Sequence, residues 1–297
     1  MAHAQAAAPR DAGLLTRTPS PALVIGAIAS VQFGSAIAAT LFARVGPAGS
    51  VLLRLVSGTI VLLALWRPRV RGRSRPELAL AAVFGLVLAA MNLSFYEAIH
   101  RIPLGVAVTI EFIGPLAVAL AGSRRKLDFL WVALAAVGIL ALTHVGGHGI
   151  DVLGVGLALF AGSMWATYIL INARVGQAFP GSTGLVLAMC VASVAILPVG
   201  VAAGGSHLLE PRSLVLGAAV GMLSSAIPYS FELEALRRIP VSVFGVLMSL
   251  EPGMAALAGW IVLGQGLGIR ALLGIALVVA ASVGASRRSA GATVAVQ

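Results

Sequence analysis

The sequence predicts an all-α polytopic membrane protein, with ten transmembrane helices in two inverted five-helix repeats. Three observations predict it. The chain of 297 residues is 59% hydrophobic and only 10% charged, with a mean hydropathy of +1.02, whereas soluble domains carry about a quarter of their residues as charges. Its apolar runs approach the roughly 20 residues that cross a hydrocarbon core as a helix, and they lack the period-two alternation of strands. A stretch of the first half also recurs in the second.

Taken in order, residues 1–20 form a polar, Ala-rich tail expected to be disordered and cytoplasmic. The run that follows ends near "GSAIAAT" and faintly resembles a cleaved leader, but the many later runs make it an uncleaved first span. The first repeat, 21–145, holds spans at Pro21–Phe42, Ala48–Trp66, Glu77–Ala98, Pro103–Gly122 and Phe129–Val145. The second, 152–285, holds Val152–Ala173, Thr183–Val201, Ser213–Glu232, Val241–Leu263 and Ile269–Ala285, before a cytoplasmic tail at 286–297. The 35 glycines fit a bundle whose helices approach closely.

Orientation follows from the basic residues. With the N-terminus inside, the cytoplasmic segments hold Arg10 and Arg17, the run Arg67, Arg69, Arg71, Arg73 and Arg75, then Arg124, Arg125 and Lys126, Arg174, Arg237 and Arg238, and Arg287 and Arg288. The outer segments hold only Arg44, Arg101, Arg212 and Arg270. This positive-inside asymmetry puts both termini in the cytoplasm and accounts for the net charge of +10 without a nucleic-acid partner. A shift of the span count by one would scramble it.

The repeat is visible as "YEAIHRIPLGVAVTIEFIGPLAVALAG" from Tyr96 and "LEALRRIPVSVFGVLMSLEPGMAALAG" from Leu233, an offset of 137 (233 − 96) without a gap. It pairs Glu97 with Glu234, Arg101 with Arg238, Pro103 with Pro240 and Pro115 with Pro252. A second echo, "ARVG" at Ala43 and Ala173, has an offset of 130 (173 − 43). An odd number of spans separates the copies, so they lie upside down to one another. Inverted repeats let two halves rock around a midplane site in transporters; duplication without mechanistic meaning is the plainer alternative.

Within these spans a few residues stand out. Glu111 lies about 10 Å into its span and Glu251 about 15 Å, at about 1.5 Å per residue. An ionisable group at such depth costs at least about 2.5 kcal/mol, so it belongs in an internal cavity. Such a carboxyl can carry a proton or hold an amine; a neutral acid bonded to backbone is the plainer reading. Pro115 cannot donate to the carbonyl of Glu111, and Pro252 cannot donate to that of Met248, so each half is expected to kink at a matching place. Arg54, about 9 Å in, either binds a carboxylate or snorkels to the outer interface. Three helical stripes, Trp165, Tyr168 and Asn172; Asn92, Phe95 and Tyr96; and Ser225, Tyr229 and Glu232, line either a cavity or the membrane interface. Gln32 and Ser35 share a face of the first span. Glu97, Arg101, Glu234 and Arg238 read as interfacial charges beside the "RIP" corners.

The stretches "MNLSFYEAIHRIPLGVAVTIEFIGPLAVAL", "SRRKLDFLWVALAAVGI", "AGSMWATYILINARVG" and "IPYSFELEALRRIPVSVFGVLMSLEPGMAALAG" resemble the threonine/homoserine exporters among the EamA-type proteins of the drug/metabolite transporter superfamily. The resemblance covers about residues 25–285; the N-terminal tail and the "RPRVRGRSR" loop lie outside its motifs. It implies ten helices in two inverted repeats, a bacterial inner-membrane location and efflux of small amino acids or related metabolites against protons. It also implies a central site with Glu111 and Pro115, Glu251 and Pro252, lined by Asn92, Trp165 and Tyr168.

The reading is therefore a secondary exporter working by alternating access, not an enzyme, with a small-molecule substrate, protons and the lipid bilayer as partners and a homodimer as one candidate assembly. Sites expected to bind substrate or protons are Glu111, Glu251, Asn92, Trp165, Tyr168, Tyr229 and Arg54, with helix breaks at Pro115 and Pro252. No cofactor or metal is expected: there is no G-x-x-x-x-G-K-[ST] loop, the histidines lack ligand spacing, and the lone Cys190 excludes an internal disulfide. Alternatives are export of a drug or sugar-like metabolite on the same fold, or a passive channel.

Overall fold

The computed structural model describes residues 18–66, 68, 72–121, 130, 131, 133–138, 151–179, 182–239 and 241–294. Among them the regular structure is helical and no strand occurs. The helices are α1 (Ser20–Ala39), α2 (Phe42–Leu65), α3 (Arg75–Arg101), α4 (Leu104–Glu111), α5 (Ile113–Ala121), α6 (Val152–Ala178) and α7 (Thr183–Gly204), then α8 (Pro211–Gly221), α9 (Ile227–Leu236), α10 (Val241–Met248), α11 (Glu251–Leu263) and α12 (Ile269–Val294). Among the described residues seven stretches are long and apolar enough to cross a membrane: Ser20–Ala39, Phe42–Leu65, Arg75–Arg101, Val152–Ala178, Thr183–Leu209, Pro211–Glu232 and Val243–Leu263. Leu104–Val118 and Ile269–Val283 are shorter apolar helices. Most of the fifth expected span, 129–145, lies outside the described residues.

Local chemistry sets the helix ends. Ser74 and Glu77 form a capping box at the start of α3, each side chain bonded to the other's backbone N–H. Asp151 caps α6 by accepting from the Gly154 N–H at 2.8 Å. Pro211 opens α8, where a missing N–H costs nothing. Gly46, at φ 67°, turns the chain inside the Phe42–Leu65 segment just ahead of Pro47.

The halves interlock. Helix α2 packs on α7 and α8, α3 on α6 and α7, and α1 on α9 and α11. The interior is apolar, with Phe84, Leu55, Leu62 and Ile28 fully buried. Large apolar side chains also face outward, among them Val152, Leu170, Val194, Val215 and Ile261. Such a belt suits a surface solvated by lipid tails.

One expectation is corrected in detail. The eighth span is not one regular helix: a π-turn, Met222–Ala226, separates α8 from α9. Pro228 has no N–H for the carbonyl of Ser224, and the chain adjusts with an i→i+5 bond from the Ile227 N–H to the Met222 carbonyl. The fourth and ninth spans are each interrupted near the proline, at Phe112 and at Ser249 and Leu250, where Phe112 and Leu250 keep right-handed helical backbone angles. Pro115 and Pro252 stand in the first turns of the helices that follow, α5 and α11.

Candidate functional site

The first break lies at Phe112, between α4 and α5. Its backbone N–H still bonds to Val108 at 3.0 Å, closing the last turn of α4. Glu111 is therefore the last residue of α4, and its side chain is only 7% exposed. Glycine at 162 is required here: a Cβ on Gly162 would stand 2.6 Å from the carbonyl oxygen of Glu111. A Cβ on Gly114 would overlap the carbonyl of Gly162. Two glycines thus let α6 touch the backbone of the break.

The second break lies at Ser249 and Leu250. Short i→i+3 bonds, Ser249 to Val246 at 3.3 Å and Leu250 to Leu247 at 3.0 Å, close the end of α10. Glu251 then begins α11 at 6% exposure. Ser249 is buried, with its Oγ 2.8 Å from the Oγ of Ser282 on α12.

Both breaks face one cavity of about 110 Å³. Of the residues expected from sequence, Arg54, Asn92, Glu111, Trp165 and Glu251 line it. Gln32 and Ser35 of α1 line it as well, and Val31, Met91 and Phe95 supply apolar wall. Arg54 points inward. Its Nη1 donates to the Tyr96 hydroxyl at 3.2 Å, and its guanidinium carbon lies 5.5 Å from the Tyr96 ring centroid. Among the described residues it forms no close ion pair, although Glu111 is within its electrostatic reach. Asn92 donates its amide N–H to the Leu88 carbonyl at 2.8 Å. Trp165 meets Phe112 edge-on at 5.6 Å, so the first break has an aromatic brace.

Other expected residues fall elsewhere. Tyr168 stacks on Phe84 at 5.1 Å and is not in the cavity wall. Tyr229 is on α9, and its side chain lies outside the described ones. Glu97 pairs with Arg101 one turn on within α3, and Glu234 of α9 pairs with Arg238 in the turn just past that helix. Reading the sequence missed two features. Tyr96 was visible in a stripe, but its role as Arg54's partner bridges 42 positions of chain. Gly162 looked like any helix glycine. Glu232 of α9, which the sequence placed in a stripe with Ser225 and Tyr229, is a third acid, within electrostatic reach of Glu251.

Comparison with known proteins identifies the family. Residues 152–287 match the EamA-like transporter family. The threonine/homoserine exporter RhtA of Salmonella typhimurium is 43% identical over 264 residues, covering 88% of this chain and 88% of that protein. RhtA of Escherichia coli K12 is 42% identical over 268 residues, covering 89% of this chain and 90% of that protein. A solved crystal structure at 20% identity has the same fold, with a TM-score of 0.57 over 91% of this chain and 99% of that one. An identity above two-fifths along nearly the full length of both proteins is decisive for family: this chain is a multi-pass membrane transporter and belongs to the EamA-like transporter family.

Proposed function

We propose that this chain exports small amino acids of the threonine/homoserine kind in exchange for protons, by alternating access. One observation carries the reading: a single small cavity gathers Arg54 and Glu111 of the first half with Glu251 of the second. Arg54 suits the carboxylate of an amino acid, since guanidinium and carboxylate match as paired donors and acceptors. With Glu251 in the same cavity, a carboxylate at Glu111 suits the ammonium. The same carboxyl cannot hold an ammonium and a proton together, so loading one expels the other, which is exchange. Asn92 and Trp165 complete the wall. Tyr168 braces the following turn of α6 against Phe84, and Tyr229 takes the place matching Asn92 (229 − 92 = 137).

Cavity size favours a small cargo over a drug. Drug-sized ligands occupy pockets of about 300–1,000 Å³, well above the 110 Å³ here. The names of the two RhtA relatives point the same way.

The proposal includes ten spans in two inverted repeats. The helix breaks support it, falling at Phe112 and Ser249, one repeat offset apart (249 − 112 = 137). It also includes a bacterial inner membrane and cytoplasmic termini, on the arginine asymmetry, with a homodimer as one candidate assembly.

Counterflow into proteoliposomes tests the function. Vesicles loaded with unlabelled threonine or homoserine should accumulate labelled threonine, and vesicles loaded with a cationic drug should not. Exchange of the drug with no exchange of either amino acid would overturn the assignment.

A further inference from the structure

One polar atom in the cavity wall has no hydrogen-bond partner among the described residues. Gln32 is 3% exposed, lines the cavity, and its Oε1 accepts no hydrogen bond there. Three polar side chains nearby do bond. Ser30 donates to the Leu223 carbonyl at 2.6 Å, Asn92 to Leu88, and Arg54 to Tyr96. A buried amide without a partner is costly, and an apolar residue of the same shape would avoid the cost. Ser35 stands one turn further along the same face, 1% exposed, and lines the same cavity.

The repeat places these two residues independently. At the 130-residue offset, Gln32 corresponds to Gly162 and Ser35 to Trp165 (162 − 32 and 165 − 35). Gly162 touches the backbone of Glu111, and Trp165 lines the cavity from the other half. The matching faces of α1 and α6 therefore both front the site. One brings an amide and a hydroxyl, the other a glycine and an indole.

We propose that Gln32, with Ser35 one turn away, binds the side-chain hydroxyl of the cargo and selects hydroxy-amino acids over their aliphatic counterparts. The inference rests on the amino-acid reading above. In that reading Arg54 and the acids take the charged ends of the cargo, which leaves its hydroxyl to be matched. A hydroxyl both donates and accepts, and so does an amide. A site built around such a bond rejects the analogue lacking it, because its own polar group is left unpaired.

The test is competition for labelled threonine counterflow by threonine, homoserine, 2-aminobutyrate and valine. The wild-type protein should prefer threonine to 2-aminobutyrate by about tenfold or more. Gln32→Met should bring that ratio to within about threefold while counterflow persists. Ser35→Ala should lower it by about threefold, and it carries the test if Q32M does not reach the membrane. A ratio unchanged in the variants overturns the role of Gln32, as does a wild type that treats threonine and 2-aminobutyrate alike. A wild type that exchanges no amino acid overturns the cargo reading and this inference with it.

Discussion

The two helix breaks fall at matching positions in the repeat but are held by opposite means. At α4–α5 backbone meets backbone: Gly114, Gly162 and the carbonyl of Glu111 fit with no room for a methyl group. At α10–α11 hydroxyls do the work, Ser249 bonding to Ser282 and, at 3.1 Å, to the carbonyl of Gly245. The first break is fixed by shape and the second by polarity. The first should tolerate loss of polar groups but no added atom; the second should tolerate added volume but not loss of a hydroxyl.

The largest expected effect is steric. Gly114→Ala or Gly162→Ala forces backbone apart and should destabilise the protein by about 3 kcal/mol, read as a fall in thermal midpoint and yield in detergent. Gly253→Ala, near the second break, meets nothing within 4 Å and should be neutral or stabilising by up to about 1 kcal/mol through helix propensity. Equal effects at Gly114 and Gly253 would break the comparison.

Next in size is the hydroxyl pair. Ser249→Ala and Ser282→Ala should each cost about 1 kcal/mol, and the double variant little more than either. Additive losses would mean that the two hydroxyls act separately.

Tyr96→Phe sharpens the contrast from the first half. It keeps the ring under Arg54 and removes only the hydroxyl that Arg54 bonds. Stability should fall by about 1 kcal/mol, and the half-saturating threonine concentration in counterflow should rise by a few-fold. An unchanged half-saturation would mean that Tyr96 does not set Arg54's position.

The smallest effect lies outside the spans, where Arg44 and His207 both pair with Glu210. The hydrogen bond with His207, first, and the charge of Arg44 hold the Glu210 carboxyl below its ordinary 4.5. A carboxyl depressed by folding stabilises above its ordinary value and loses that contribution as pH falls through and below it. Glu210→Gln should therefore lower the thermal midpoint slightly at pH 7, and the difference should fade as the carboxyl protonates in acid. A difference that persisted there would assign the effect to shape.

Much of the fold was legible because the membrane constrains it so strongly. Length and hydropathy marked the runs that became α1, α2, α3, α6 and α7. The acids stood out because nothing else in their runs is charged, and both line the cavity. What the sequence did not disclose depends on contacts distant along the chain. Arg54's partner is Tyr96, and the glycine beneath Glu111 is Gly162; neither pairing follows from spacing along a helix. The exact places of interruption, at Phe112 and Ser249, were not legible, because proline chemistry fixes only that the helix is disturbed within a turn. The π-turn before Pro228 was hidden for the same reason.

The central claim is that Glu111, at the sterically fixed break, carries the exchanged proton. Labelled threonine uptake into proteoliposomes under an imposed pH gradient, acidic inside, tests it most directly. Wild-type uptake should rise severalfold over the no-gradient control, and Glu111→Gln should give uptake indifferent to the gradient at equal protein content. Gradient-driven uptake that survives in Glu111→Gln would contradict the claim.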